Sequence, residues 1–265
     1  MLLSIAIHAY GFAAVVYLIH LARQASFLAI LGRAAVGAGL LLHGAALVGA
    51  FTAQGGMPSG LSHGLSLLCF LLLAIFLGID IAYRKPVIGA FVTPIALAVL
   101  VPAFIVPSPE GTLPAVVRGP LMSVHIGIAI LGMAAFAVAA GIAVMYLLME
   151  RQVKAKRFGL LFSRLPPLQM LDRLNRWLVV VGFIALSFTV VSGAFFSPLS
   201  PAGFFVDSKV IVSLVGWAVF GGLLHARHFA GWQGKRAAVL TLSGFCIVLA
   251  SFLSSYDLSQ LGGAR

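Results

Sequence analysis

Residues 207–236 read DSKVIVSLVGWAVFGGLLHARHFAGWQGKR. Between Lys209 and His225 the stretch carries no charged residue, and Arg227, Lys235 and Arg236 follow it. An apolar run that ends in cations reads as a membrane-spanning helix whose end meets the basic face of a bilayer. It contains one costly residue. His225 falls about one turn inside the helix, where an ionisable group is expensive to hold and marks a candidate functional site.

The rest of the chain extends this pattern. Hydrophobic residues make up 62% of it and charged residues only 9%, with a mean hydropathy of +1.12. A soluble domain carries roughly 25% charged residues. Apolar runs of about 20 residues recur along the whole length, each enough to cross a hydrocarbon core of about 30 Å. They do not alternate polar with apolar, as barrel strands would. The expected fold is therefore all-α, a polytopic transmembrane helical bundle forming one integral-membrane domain over residues 1–265. Eight spans are read, at about Leu3–Leu21, Ala34–Ala53, Gly64–Ala82, Val87–Val106, Leu121–Leu148, Trp177–Phe196, Lys209–His228 and Ala237–Leu253. Turn chemistry separates them at Gly55–Pro58, Pro107–Pro109 and Ser197–Pro201. No basic leader or small-residue cleavage site flanks the first run, so it is expected to stay as a span.

Charge sets an orientation. With these spans, fourteen Lys and Arg fall on one side and three (Arg118, Lys209 and Arg265) on the other. The basic side is expected to be cytoplasmic, which puts both termini outside. The net charge of +11 is thereby explained by loops rather than by nucleic acid. The longest connection, Glu150–Arg176, is broken by Pro166-Pro167, and Leu168–Arg176 reads as a short interfacial helix. Asp80, near the end of the third span, is expected to pair with Arg84 at the interface. Cys69 and Cys246 lie inside apolar runs with no CxxC spacing and read as small buried hydrophobes.

Histidine is the residue type that carries chemistry here. Seven are present. His20 and His228 are expected at the basic interface, and His8 is expected to donate to a carbonyl of a neighbouring helix. His43 falls near the middle of its span, His125 about a turn inside the fifth span, and His63 at the mouth of the third. Imidazole suits both metal ions and haem iron, so His43, His125 and His225 together point to a bound group. No pairing of nucleophile with base, P-loop or Rossmann pattern is present, and no independent enzymatic turnover is expected.

The order of these elements resembles a known family. Asp207-Ser208-Lys209, Gly216-Trp217, Leu224-His225-Ala226-Arg227 and Gly231-Trp232-Gln233-Gly234 are similar to the cytochrome c assembly protein family, which includes CcsA, HemX and YpjD-type membrane proteins. Met122–Gly127 with His125, Leu165–Leu168 with Asp172-Arg173, and His43 with Leu65–Leu68 extend the likeness, nearer to the YpjD/HemX branch. The resemblance implies a multi-pass protein of the bacterial inner membrane that binds or handles haem in c-type cytochrome assembly. It implies haem as cofactor, with iron held through His225 and His125; from their own positions in the spans, His43 is the expected partner of His225 and His63 that of His125. Partners implied are the lipid bilayer and other cytochrome c maturation proteins or an apocytochrome. Alternatives are a HemX-like regulatory or scaffold protein and a transporter or ion-efflux auxiliary. The family's tryptophan-rich segment has no counterpart in Ala202–Asp207, nor its C-terminal histidine in Ser254–Arg265.

Overall fold

The computed structural model describes residues 1–54, 60–105, 119–156, 159–195 and 208–254. The turn sequences at Gly55–Pro58, Pro107–Pro109 and Ser197–Pro201, together with Arg118, Asp207, Asp257 and Arg265, lie outside them. The described residues form α1 (Leu2–Arg23), α2 (Ser26–Gln54), α3 (Leu61–Tyr83), α4 (Gly89–Ile105), α5 (Pro120–Lys154), α6 (Leu160–Arg164), α7 (Leu168–Phe195), α8 (Ser208–Phe229) and α9 (Lys235–Ser254), with a 3-10 turn at Pro86–Ile88. Eight of these are long and apolar enough to cross a membrane, and α6 is not. The helices cluster into two compact units. One comprises Met1–Pro120 and Arg151–Pro167, the other Leu121–Glu150 and Leu168–Arg265.

In the first unit α1 packs on α2 and α4, and α3 packs on α4 and α2. Tyr10 and Tyr17 are seven residues apart, so they share one face of α1, and both are buried. They enter slots left by glycines of α2. A Cβ at Gly32 would stand 2.8 Å from the Tyr17 ring, and one at Gly39 would overlap the Tyr10 ring. Tyr17 also meets Phe76 of α3 edge-on, with ring centroids 5.5 Å apart. The turn from α1 into α2 is tight because Gln24 adopts φ 52° and its N–H donates to the His20 carbonyl.

Helix α2 begins at Ser26 rather than at the expected Ala34. Nothing in Ser26–Arg33 breaks a helix, and the charge of Arg33 is neutralised by Asp80. The sequence pattern excluded that arginine from the span because it does not reveal the partner.

In the second unit α5 supplies the core. Residues 132–143 are all buried and are mostly Ala and Gly. Small side chains let helix backbones approach closely where lipid gives no hydrophobic drive between helices. A Cβ at Gly132 would sit 3.0 Å from Ala185 of α7, and Phe136 stacks on Phe220 of α8 at 3.8 Å and 7°. The contacts His125–Ser192 and Asn175–Ala139 run in opposite senses along α5 and α7, so these helices are antiparallel. Trp217–Ser187 and Arg227–Asp172 do the same for α8 and α7, which leaves α8 parallel to α5.

Helix α7 corrects the reading of a separate interfacial helix. Leu168–Arg176 runs without a break into the span and ends at Phe195. Pro166-Pro167 does stop the preceding segment, but no breaker stands between Arg176 and Trp177. Leu171, Leu174 and Leu178 continue one buried face across the junction.

Candidate functional site

One cluster of polar residues of the second unit meets at the basic end of α7, α8 and α9. Arg227 is 5% exposed. Its Nη1 donates to both carboxylate oxygens of Asp172, at 3.2 and 3.3 Å, and its Nη2 donates to Asn175 Oδ1 at 2.6 Å. Asn175 Nδ2 in turn donates to the Ala139 carbonyl of α5 at 2.9 Å, and Thr241 Oγ1 of α9 lies 3.2 Å from Asn175 Oδ1. Asp172 Oδ1 also accepts the Gly234 N–H at 3.1 Å. Four helices are thus tied by one arginine and its partners. The charges of this network are paired, and among the described residues the buried Arg227 Nε alone of its guanidinium nitrogens has no hydrogen-bond partner. Removing one partner would leave a buried charge, at a cost of about 3–5 kcal/mol.

The loop that joins α8 to α9 is shaped for this clamp. Gly231 and Gly234 adopt φ 65° and 68°, which non-glycine residues reach only with strain. A Cβ at Gly234 would also lie 2.7 Å from the Tyr146 hydroxyl of α5. Arg227, Gly231 and Gly234 of the α8–α9 motif are therefore architectural. Sequence reading took Arg227 as a topology-setting cation and left Asp172 and Asn175 without a role. The signal available was a polar pair three residues apart on the otherwise apolar buried face of α7.

His225 is placed differently. It lies two positions before Arg227, about 200° around the helix at 100° per residue. Where Arg227 turns inward, His225 is exposed. Among the described residues its ring has no hydrogen bond. Its recorded neighbour is the Phe229 ring one turn on, with centroids 4.4 Å apart and planes at 37°. His228 meets the same Phe229 edge-on at 4.7 Å. His225 stands about 6 Å from the end of α8 by helical rise, within the apolar span Val210–Phe229.

His125 lies at the other end of this unit, on the first turns of α5. Its Nδ1 is 2.7 Å from Ser192 Oγ of α7. Ser192 donates its own proton to the Phe188 carbonyl at 2.7 Å, so its oxygen is left to accept from Nδ1–H. That bond orients the imidazole ring on α5. His125 and His225 share the second unit but not one level. Aligning α5, α7 and α8 by the contacts above separates them by roughly 20 Å along the helices, too far for the two faces of a single haem iron.

The remaining candidates lie in the first unit. His43 is fully buried, and both ring nitrogens are engaged, Nδ1 with the Tyr10 hydroxyl at 3.3 Å and Nε2 with Ser66 Oγ at 2.8 Å. Phe70 packs edge-on against it at 5.6 Å. Half-buried His63 lies one turn before Ser66 on the same helix. His20 is buried and donates to the Ala25 carbonyl at 3.0 Å. His8 donates to the Ser4 carbonyl of its own helix at 2.7 Å, not to a neighbouring helix. Asp80 pairs with Arg33 of α2 at 2.8 Å and accepts from the Tyr17 hydroxyl at 3.4 Å. The expected partner Arg84 instead caps α3 in the left-handed conformation, at φ 51°. Among the described residues no cluster of three or more His, Cys, Asp or Glu forms a metal site.

Eight apolar helices define a polytopic helical membrane protein, and its second unit carries an ionic clamp beside an exposed imidazole of a span. The Cytochrome C assembly protein family matches residues 58–261, and the chain belongs to that family. It is 28% identical over 177 residues to the inner membrane protein YpjD of Escherichia coli (strain K12), covering 66% of this chain and 64% of that protein. It is 33% identical over 92 residues to the cytochrome c biogenesis protein CcsA of Trichodesmium erythraeum, covering 34% of this chain and 26% of that one. The matched regions thus fall short of two thirds of these relatives' lengths. A solved structure of the cytochrome c heme lyase CcmF aligns with a TM-score of 0.68 over 98% of this chain and 49% of that chain; at 16% identity the likeness is one of fold. The protein is a multi-pass protein of the bacterial inner membrane.

Proposed function

We propose that the protein holds haem within the membrane in c-type cytochrome biogenesis, with His225 as the iron ligand. One observation carries this reading. His225 presents an imidazole with no recorded hydrogen bond from an apolar span, beside a residue that is locked inward. A polar ring in that setting is costly unless something outside the helix satisfies it. The residues present fit haem. Imidazole supplies a nitrogen lone pair, Phe229 offers an apolar ring beside it, and the Arg227 clamp fixes the helix that presents both. Haem when bound supplies the iron centre that an axial imidazole completes. The protein's part is to orient the ligand and exclude water, and the reading includes no bond-making step of its own. The family membership supports this assignment, as do the printed names of the relatives.

His125 is the candidate for a second, separate level, with its ring oriented by the bond to Ser192. His43 is not carried forward, since both of its nitrogens are bonded inside the first unit.

The test is the absorption spectrum of the detergent-purified full chain. A Soret band is expected, and His225→Ala is expected to abolish or shift it. An unchanged band and unchanged stoichiometry in that variant would remove His225 from the site. The orientation belongs to the same proposal. The basic ends are taken as cytoplasmic, so a phosphatase fused after Arg265 should be active outside, and a cytoplasmic signal there would reverse the assignment.

A further inference from the structure

The start of α9 carries its charge against the helix. Lys235 and Arg236 occupy its first turn, and no acidic residue stands there. A helix N-terminus is the positive end of the macrodipole, so cations there are unfavourable and anions favourable. Both side chains are exposed, and among the described residues neither has a carboxylate partner. Asp172 is the acid tied to this turn, and it is already shared by Arg227 and the Gly234 N–H. Among the described residues the excess positive charge of this corner is left unbalanced.

The same residues line an open cleft of about 440 Å³, formed by Trp232, Lys235, Arg236, Val239 and Leu240. The Arg236 guanidinium lies over the Trp232 ring, 5.9 Å from its centroid. Lys235 is also the first residue of an apolar span. The cleft therefore has cations and an indole at its mouth and, one turn further into the bilayer, exposed Val239. Tryptophan favours this boundary level, and basic residues there attract anionic lipid.

We propose that this cleft binds the headgroup of an anionic phospholipid, with the phosphate between Lys235 and Arg236 and an acyl chain along Val239 and Leu240. The lipid supplies the negative charge that the helix start lacks. Its apolar tail covers a surface that a free phosphate would leave bare. The site is independent of the haem assignment, because it uses none of the histidines.

Titration of the detergent-solubilised full chain with phosphatidylglycerol, followed by native mass spectrometry, tests the proposal. Lys235→Gln/Arg236→Gln should weaken binding roughly fivefold for each cation removed. Arg84→Gln/Lys85→Gln, which neutralises exposed Arg84 and half-buried Lys85 on another turn, should leave it unchanged. Phosphatidylcholine and soluble glycerophosphate should bind poorly to the unaltered protein. In lipid-free detergent the Lys235→Gln/Arg236→Gln variant should unfold at the same temperature as the parent or higher, since it removes cations from a positive helix end. Equal phosphatidylglycerol affinity in both double variants, or equal loss in both, would overturn the proposal. Binding of glycerophosphate as tight as that of the lipid would do so too, as would a lowered unfolding temperature in lipid-free detergent.

Discussion

His43 and His225 are the same side chain in opposite situations. In the first unit His43 is enclosed, with a hydroxyl at each ring nitrogen and an aromatic ring against its edge. In the second unit His225 is exposed beside Phe229. Both lie in apolar spans, and by sequence both are costly. The difference is where the cost is met. Tyr10 and Ser66 meet it for His43, so that imidazole is part of the scaffold. Among the described residues no hydrogen bond meets it for His225, which is why the proposed haem ligation is placed there. An intramembrane histidine is a functional signal only after its hydrogen bonds have been counted.

The ion pairs repeat the contrast. Arg33 keeps 29% of its side chain exposed while it pairs with Asp80, whereas the Arg227 side chain is 3% exposed against Asp172. Asp172→Ala should therefore have the largest effect on stability, about 3–5 kcal/mol, because it leaves a buried guanidinium unpaired. Asp80→Ala should cost less, because Arg33 can turn its charge toward water or headgroups. Thermal unfolding of the two variants in one detergent checks the order. A larger loss for Asp80→Ala would mean that the first unit holds the stricter clamp.

Gly234→Ala comes next, at about 2 kcal/mol, combining the strain of a left-handed residue with the approach of the Tyr146 hydroxyl. Adding Tyr146→Phe should recover part of that loss and not all of it, since the backbone strain remains. Full recovery in the double variant would show that the steric contact alone makes position 234 a glycine.

The spans were legible because apolar length is a local property, and each of the eight expected runs is matched by a helix. What sequence could not supply was pairing. Asp80 was assigned to Arg84 because the two are one turn apart, but its partner Arg33 is 47 positions away on another helix. The same blindness trimmed α2 at Ala34, since an arginine looks like an end when its acid is unseen. Arg227 was read as one more cation of the basic side, and only the packing of α7 shows it buried. His225 stands out in the sequence as a costly residue of an apolar span, but its exposure depends on which way α8 faces. No motif states that.

The two histidines give the smallest stability effects and the sharpest separation. His43→Ala should cost about 1–2 kcal/mol, because it leaves the Tyr10 and Ser66 hydroxyls buried without their partner. It should leave any haem spectrum unchanged. His225→Ala removes an exposed ring with no recorded hydrogen bond, so ligand-free stability should move by no more than about 0.5 kcal/mol. The Soret band should nevertheless be lost or displaced. The comparison thus predicts a crossed pattern, stability without spectrum in one variant and spectrum without stability in the other. Unfolding and absorption measured on the same two preparations decide it. If His43→Ala lost the spectrum with little change in stability, the iron ligand would lie in the first unit. The bonds from His43 to Tyr10 and Ser66 would then have to open when haem binds.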